Sequence, residues 1–267
     1  MDYIRHYRIK IYSGSDVVPG KTYIQSIVRA ITILNLFENY KELSLHDITG
    51  MMNLNKTTVY GILDTLVHLK YLEKNEQTNM YRLGLGLFRT SQHIDIDLVR
   101  ICKPYLQEMV AEFGETANLI VLENTGLMYL DKVESPHSMR ICTQIGQRIP
   151  VHCSSAGKAI LAHLPEDKMM DIVNNINFER LTSKTIVDKD VFVREVIEAR
   201  KRGFAKDVEE FENDLLCVGV PILDHKGYPI AAMSISSPIN RTDNTRLHTM
   251  ANTLMATVKK VGAQLSE

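Results

Sequence analysis

The chain of 267 residues has no apolar run approaching the roughly 20 residues that span a bilayer, so no helical membrane span is expected. Its first residues include Tyr3, Arg5, His6, Tyr7 and Arg8, where a secretion signal needs an apolar stretch, and a cytoplasmic protein is expected. Cysteine is scarce: Cys102, Cys142, Cys153 and Cys217 include no C-x-x-C pair. That spacing argues against a paired-cysteine zinc site and for buried free thiols. Two hydrolase signatures, G-x-S-x-G and H-E-x-x-H, are missing as well. Gly157-Lys158 is not a phosphate loop, because His152 stands where that loop needs glycine and Ala159 where it needs Ser or Thr. His152 and Cys153 are neighbours on an extended segment and point to opposite faces, which excludes a thiol–imidazole dyad. Neither an enzyme nor a cofactor is expected. His152, Cys153 and Cys217 leave a metal-responsive protein as an alternative, although their spacing specifies no site.

What is present is the balance of a globular protein, 45 % apolar and 24 % charged, long enough for two domains. The net charge of −1 hides an asymmetry. Residues 1–93 carry 11 Lys+Arg against 8 Asp+Glu, and the remainder 20 against 24. A mildly basic front half suits a polyanionic partner for that half alone.

Periodicity places a leader at 1–21, then a helix over 24–39 with Ile27, Ala30, Ile31, Leu34 and Phe37 as its inner stripe. Ser44 can cap a second helix over 44–52, and Asn53-Leu54-Asn55 makes a tight turn. A third helix runs to about Leu69, with Val59, Ile62, Leu63, Leu66 and Leu69 on one face. Strands at Leu72–Lys74 and Met80–Leu83 flank a polar turn. Three helices followed by a hairpin are the layout of a winged helix-turn-helix spanning 22–84. The other face of the third helix starts with Asn55, Lys56, Thr57, Thr58 and Tyr60. Short hydrogen-bonding groups and a cation at that end are what a recognition helix presents to base edges and phosphates of duplex DNA. The wing adds Lys74, Asn75, Gln77, Thr78 and Arg82.

A helical linker is expected over 85–97, with Leu87–Asp97 as connector. The domain at 98–267 opens with a long helix whose inner face is Leu98, Ile101, Cys102, Tyr105, Leu106, Met109 and Phe113, with Pro104 near its start. Strands follow at Asn118–Glu123, Leu127–Val133 and Met139–Thr143. Helices occupy about 155–163, 166–174 and 189–202, strands 216–223 and 228–236, and a closing helix runs from Thr242 toward Leu265. Strands grouped at both ends of a helical middle predict an α+β fold with an antiparallel sheet.

Several blocks in one order carry a resemblance. They include Ser26-Ile27-Val28-Arg29-Ala30-Ile31, Asn55-Lys56-Thr57-Thr58-Val59-Tyr60, Gly146-Gln147-Arg148-Ile149-Pro150-Val151-His152 with Ala156-Gly157-Lys158-Ala159, Gly203-Phe204-Ala205-Lys206-Asp207, and Ala231-Ala232-Met233-Ser234-Ile235-Ser236. Over about residues 22–265 the chain resembles the isocitrate-lyase-repressor (IclR) family of bacterial regulators. The resemblance implies an operator-binding dimer or tetramer with a GAF-like effector domain. It also implies a pocket lined by Met139, Ile141, Ser155, Ala156, Asp207, Cys217, Ser234 and Ser236, and a small organic acid is expected to occupy it. Relatives often carry arginine just after the position of Tyr60, and this chain has Gly61. From the residues alone, Ser155, Ala156 and Gly157 start a helix whose free N–H groups suit a carboxylate, and Ser234 and Ser236 share one strand face. Without the resemblance, the same serines read more simply as a helix cap and solvent-facing hydroxyls.

Overall fold

The computed structural model describes residues 23–91 and 97–265. The leader and residues 92–96 of the expected connector lie outside the described residues. The chain divides into two compact units, Met1–Asp95 and Ile96–Glu267.

The first unit contains α1 (Gln25–Leu36), β1 (Leu43–Ser44), α2 (Leu45–Met52), α3 (Lys56–His68), β2 (Leu72–Lys74), β3 (Met80–Leu83) and α4 (Leu85–Ser91). Ser44 and Asp47 form a reciprocal capping box at the start of α2. Asn53 ends that helix in the left-handed region (φ 49°). Asn55 caps α3, its Oδ1 accepting from Thr58 N at 2.8 Å. The strands pair antiparallel in the order β1-β3-β2. Ile33, Leu36, Phe37, Ile48, Val59, Leu63, Leu66 and Leu72 form the core.

Two expectations are corrected here. α1 is apolar on both sides, and the core takes Ile33, Leu36 and Phe37, leaving Ile27 and Ile31 more than half exposed. Leu69 is the C-cap of α3, beyond its last turn, and is exposed.

The second unit contains α5 (Asp97–Phe113), β4 (Thr116–Glu123), β5 (Gly126–Val133), β6 (Arg148–Pro150), α6 (Ser155–Leu161), α7 (Glu166–Asn175), α8 (Lys189–Arg202), β7 (Ala205–Val208), β8 (Leu215–Leu223), β9 (Pro229–Pro238) and α9 (Asn244–Gln264). Its six strands form one antiparallel sheet ordered β6-β5-β4-β9-β8-β7. Side-chain alternation divides the two faces. Ala117, Leu119, Val218, Val220, Met233 and Ile235 pack with α5 and α9. Ile120, Ala205 and Ala232 pack with α6 and α8 on the other side.

Pro104 stands eighth in α5, inside the helix and not in its first turn. Met139–Thr143 forms no strand. Its carbonyls are taken by distant side chains: Arg241 Nη1 donates to Met139 O (2.9 Å), Thr116 Oγ1 to Ile141 O (3.0 Å) and Lys132 Nζ to Thr143 O. The third strand of the sequence order is instead β6, and β7 is a further one that sequence periodicity does not pick out.

α6 lies hard against its neighbours because two residues lack side chains. A Cβ on Gly157 would stand 2.4 Å from Val151 O, and one on Gly219 would stand 2.7 Å from the Ser155 carbonyl carbon. These are backbone contacts that cannot yield to a rotamer change. Gly157→Ala and Gly219→Ala are each expected to lower the unfolding free energy by about 1–3 kcal/mol. Urea titrations check this, and unchanged midpoints would contradict the close seating of α6.

Candidate functional site

In the first unit, the solvent face of α3 starts with Lys56 and Thr57 and continues through Tyr60, Gly61, Asp64 and His68, all exposed. Asn55 is engaged as the helix cap, and Thr58 is partly buried. The wing is built by some of the residues expected to touch DNA. Asn75 Oδ1 accepts from Gln77 N and Thr78 N (2.9 and 3.1 Å), which closes the turn. Arg82 donates from Nε and Nη2 to Glu73 Oε2 at 3.0 and 2.9 Å, its register partner on β2. Arg82 is therefore tied across the hairpin and not a lone cation, while Lys74 lies half-buried at the strand end. Burial raises the hydroxyl pKa of Tyr81, with smaller contributions from Tyr60, Asp64 and Glu76.

In the second unit, a cavity of about 40 Å³ lies between the sheet face that meets α6 and the strap over residues 137–145. Ile141, Ser155, Asp207, Cys217, Ser234 and Ser236 line it, as the resemblance implies. Strand register explains the grouping: Ser236 opposes Cys217 and Thr116, and Ser234 opposes Gly219 and Asn118. Met139 and Ala156 are not among the lining residues. Met139 is 63 % exposed because its carbonyl is drawn to Arg241, and Ala156 is buried where α6 meets Gly219. Ser154 takes the N-cap position of α6, yet its hydroxyl makes no capping bond, and it lines the cavity beside Ser155.

Asn118 has no place in the expected set, yet it organises the floor. It is fully buried, donates from Nδ2 to Ser236 Oγ (3.2 Å) and Ser234 Oγ (3.5 Å), and accepts from Thr143 Oγ1 on the strap (2.8 Å). Cys217 Sγ donates to Ser236 Oγ at 3.2 Å, and burial pushes its thiol well above the ordinary range.

Charge enters from below. Lys158 is completely buried and donates to Glu210 Oε1 at 2.6 Å. Glu210 Oε2 has no hydrogen-bond partner among the described residues. Glu210 N in turn donates to Asp207 Oδ1 (2.8 Å), as does Phe211 N (3.4 Å). Burial pushes the Asp207 carboxyl up to about 7, with Lys158 opposing the rise and Glu210 adding to it. His152 is buried on Phe178, with Nε2 2.9 Å from Glu179 O. Among the described residues, no three His, Cys, Asp or Glu side chains gather to hold a metal ion.

The Asp207 shift has a sign that can be measured. An unfolded Asp titrates near 4, so between about pH 4 and 7 the folded state holds a proton that the unfolded chain has lost. Stability from this group is full below that window and declines as pH rises through it. Asp207→Asn keeps an oxygen for the two N–H donors and has no proton to lose. Its stability, from urea midpoints at pH values between about 5 and 8, is expected to fall less with pH than the wild type's, and to exceed it at about pH 8. An unaltered pH slope would contradict the assignment.

Residues 26–76 match the IclR helix-turn-helix domain, and residues 91–263 match the family described as bacterial transcriptional regulator IclR C-terminal. The HTH-type transcriptional regulator XynR of Escherichia coli (strain K12) is 32 % identical over 227 residues, covering 84 % of this chain and 90 % of XynR. The crystal structure of the Thermotoga maritima IclR matches with a TM-score of 0.73 at 26 % identity, over 92 % of this chain and all of that one. An IclR homologue from Microbacterium hydrocarbonoxydans, solved with 4-hydroxybenzoate, shares the fold at TM-score 0.79 and 20 % identity, over 90 % of this chain and 99 % of its own. Such relatives are regulators and not enzymes. With a helix-turn-helix unit and an effector-domain unit both matched, the chain belongs to the IclR family of bacterial transcriptional regulators.

Proposed function

We propose that the chain is a cytoplasmic, homo-oligomeric regulator whose grip on operator DNA changes when a small hydroxylated organic acid enters the cavity under the strap. The domains are 22–84 for DNA, 85–97 as linker and 98–267 for the effector. Lys56, Thr57 and Tyr60 meet the major groove directly, while Asn55 and Thr58 set the helix start and Lys74 and Arg82 contact the flanking backbone. One such helix reads few base pairs, so two copies on a two-fold site are proposed.

The observation that carries the effector reading is the convergence of polar groups on one wall of the cavity: Ser234, Ser236, Cys217 and Asp207 meet there opposite the first turn of α6, and Thr143, Gln147 and Glu212 add polar groups elsewhere on the lining. With its carboxyl raised to about 7, Asp207 can take up a proton as an anionic ligand enters and donate it to the ligand's oxygen. The serine hydroxyls and the first N–H groups of α6 orient the acid, and Ile120, Ile141 and Ile149 contact its carbon body. The 4-hydroxybenzoate held by the Microbacterium protein is an acid of this kind. A cavity of about 40 Å³ admits only a few water-sized groups, so a larger ligand requires the strap to move outward. The ligand's preference for the opened or the closed strap is the coupling energy available to the linker.

A thermal-shift panel of organic, phenolic and sugar acids identifies the effector, because a ligand of the folded state raises its stability. Ser155→Trp is expected to abolish that shift and leave DNA binding intact. Alanine at Lys56, Thr57 and Thr58 together is expected to do the reverse, lowering affinity and flattening its salt dependence. Undiminished effector binding by Ser155→Trp, or undiminished DNA binding by the triple variant, would overturn the corresponding half of the proposal.

A further inference from the structure

The solvent strip of α3 has a gap at its centre. Thr57, Gly61, Asp64 and His68 follow one another at four- and three-residue spacing, so they share a face, and all four are exposed. Gly61 is the sixth residue of a 13-residue helix, away from both ends. A Cβ built there would meet no atom within 4 Å. Gly61 is not among the glycines with positive φ. Neither packing nor backbone conformation therefore asks for glycine, and glycine inside an exposed helix weakens it relative to alanine. The turn is held locally, Thr65 Oγ1 donating to Gly61 O at 2.8 Å.

The surroundings say what this bare patch faces. Thr57 lies one turn before it and Asp64 one turn after, His68 stands at the far end of the strip, and Lys56 and Tyr60 flank it on the same exposed face. A carboxylate beside the patch repels a phosphate, whereas Asp accepts from the exocyclic amine of cytosine, and Thr bonds to base edges or packs on a thymine methyl. We infer that Gly61 is a specificity-determining position. Its missing side chain lets a base-pair edge of the major groove come against the backbone of α3, with Thr57 and Asp64 reading the same stretch. This rests on the proposal that α3 is the recognition helix.

The probe is the duplex that the full-length wild-type chain enriches best from a random-sequence library. Wild type and Gly61→Ala are titrated on it and on an unrelated duplex of equal length, and thermal midpoints are read for both proteins. Gly61→Ala is expected to raise the midpoint by about 2 °C. It is expected to weaken binding to the enriched duplex by about fivefold or more, with the unrelated duplex unaffected. Equal affinity of both proteins for the enriched duplex would overturn the inference. Equal weakening on both duplexes would also overturn it, because that marks a phosphate contact. A lowered midpoint would refute the open space at Gly61. If the wild type enriches no duplex, the recognition-helix reading itself fails and the inference falls with it.

Discussion

A completely buried ammonium must be answered by a carboxylate, and the effector unit is arranged around that requirement. Lys158 lies on α6, which Gly157 and Gly219 allow to sit so close that water is excluded. Removing such a charge from water costs several kcal/mol unless a partner is held in place. Glu210 is that partner, and its position fixes the turn that follows β7. The same turn directs two backbone N–H groups at Asp207, so the acid facing the cavity is placed by the ion pair beneath it. Packing, charge and the candidate ligand site are thus one structure, and a change in any part reaches the others.

The cavity's upper side is built on a different principle. Among the described residues no strand pairs with the strap over 137–145. Three cationic or hydroxyl side chains hold its carbonyls, and Thr143 rests on Asn118. Side-chain tethers break singly, whereas a strand ladder resists as a unit. A closed floor and a tethered strap are the combination expected of a site that has to open. Asn118 joins the two, since the amide that bonds Thr143 also bonds both serines.

Much of this was legible in the sequence where the determinants are local. The wing strands Leu72–Lys74 and Met80–Leu83 and helix α8 agree with their expected bounds because turn residues and alternation mark them directly. Ser234 and Ser236 share a face because strand period two requires it. The misses have non-local causes. Met139 and Ile141 alternate like a strand, but their carbonyls are claimed by Arg241 and Thr116, each more than 20 positions away. α1 offers two apolar faces, and only the tertiary core decides that Ile33 and not Ile31 is inside. Arg82 resembled a free cation until strand register set Glu73 beside it. Asn118 did leave a signal, an amide between Ala117, Leu119 and Ile120 in an apolar run, where a buried polar group needs a partner.

The dependence on the buried pair can be measured without knowing the effector. A double-mutant cycle combines Lys158→Met and Glu210→Leu and reads unfolding free energies in urea. Each single variant is expected to lose about 3 kcal/mol or more, because the remaining charge is stranded without its partner. The double variant is expected to be at least as stable as either single one, a coupling well above the roughly 0.5 kcal/mol scatter of independent sites. Additive losses would contradict the central role of the Lys158–Glu210 pair.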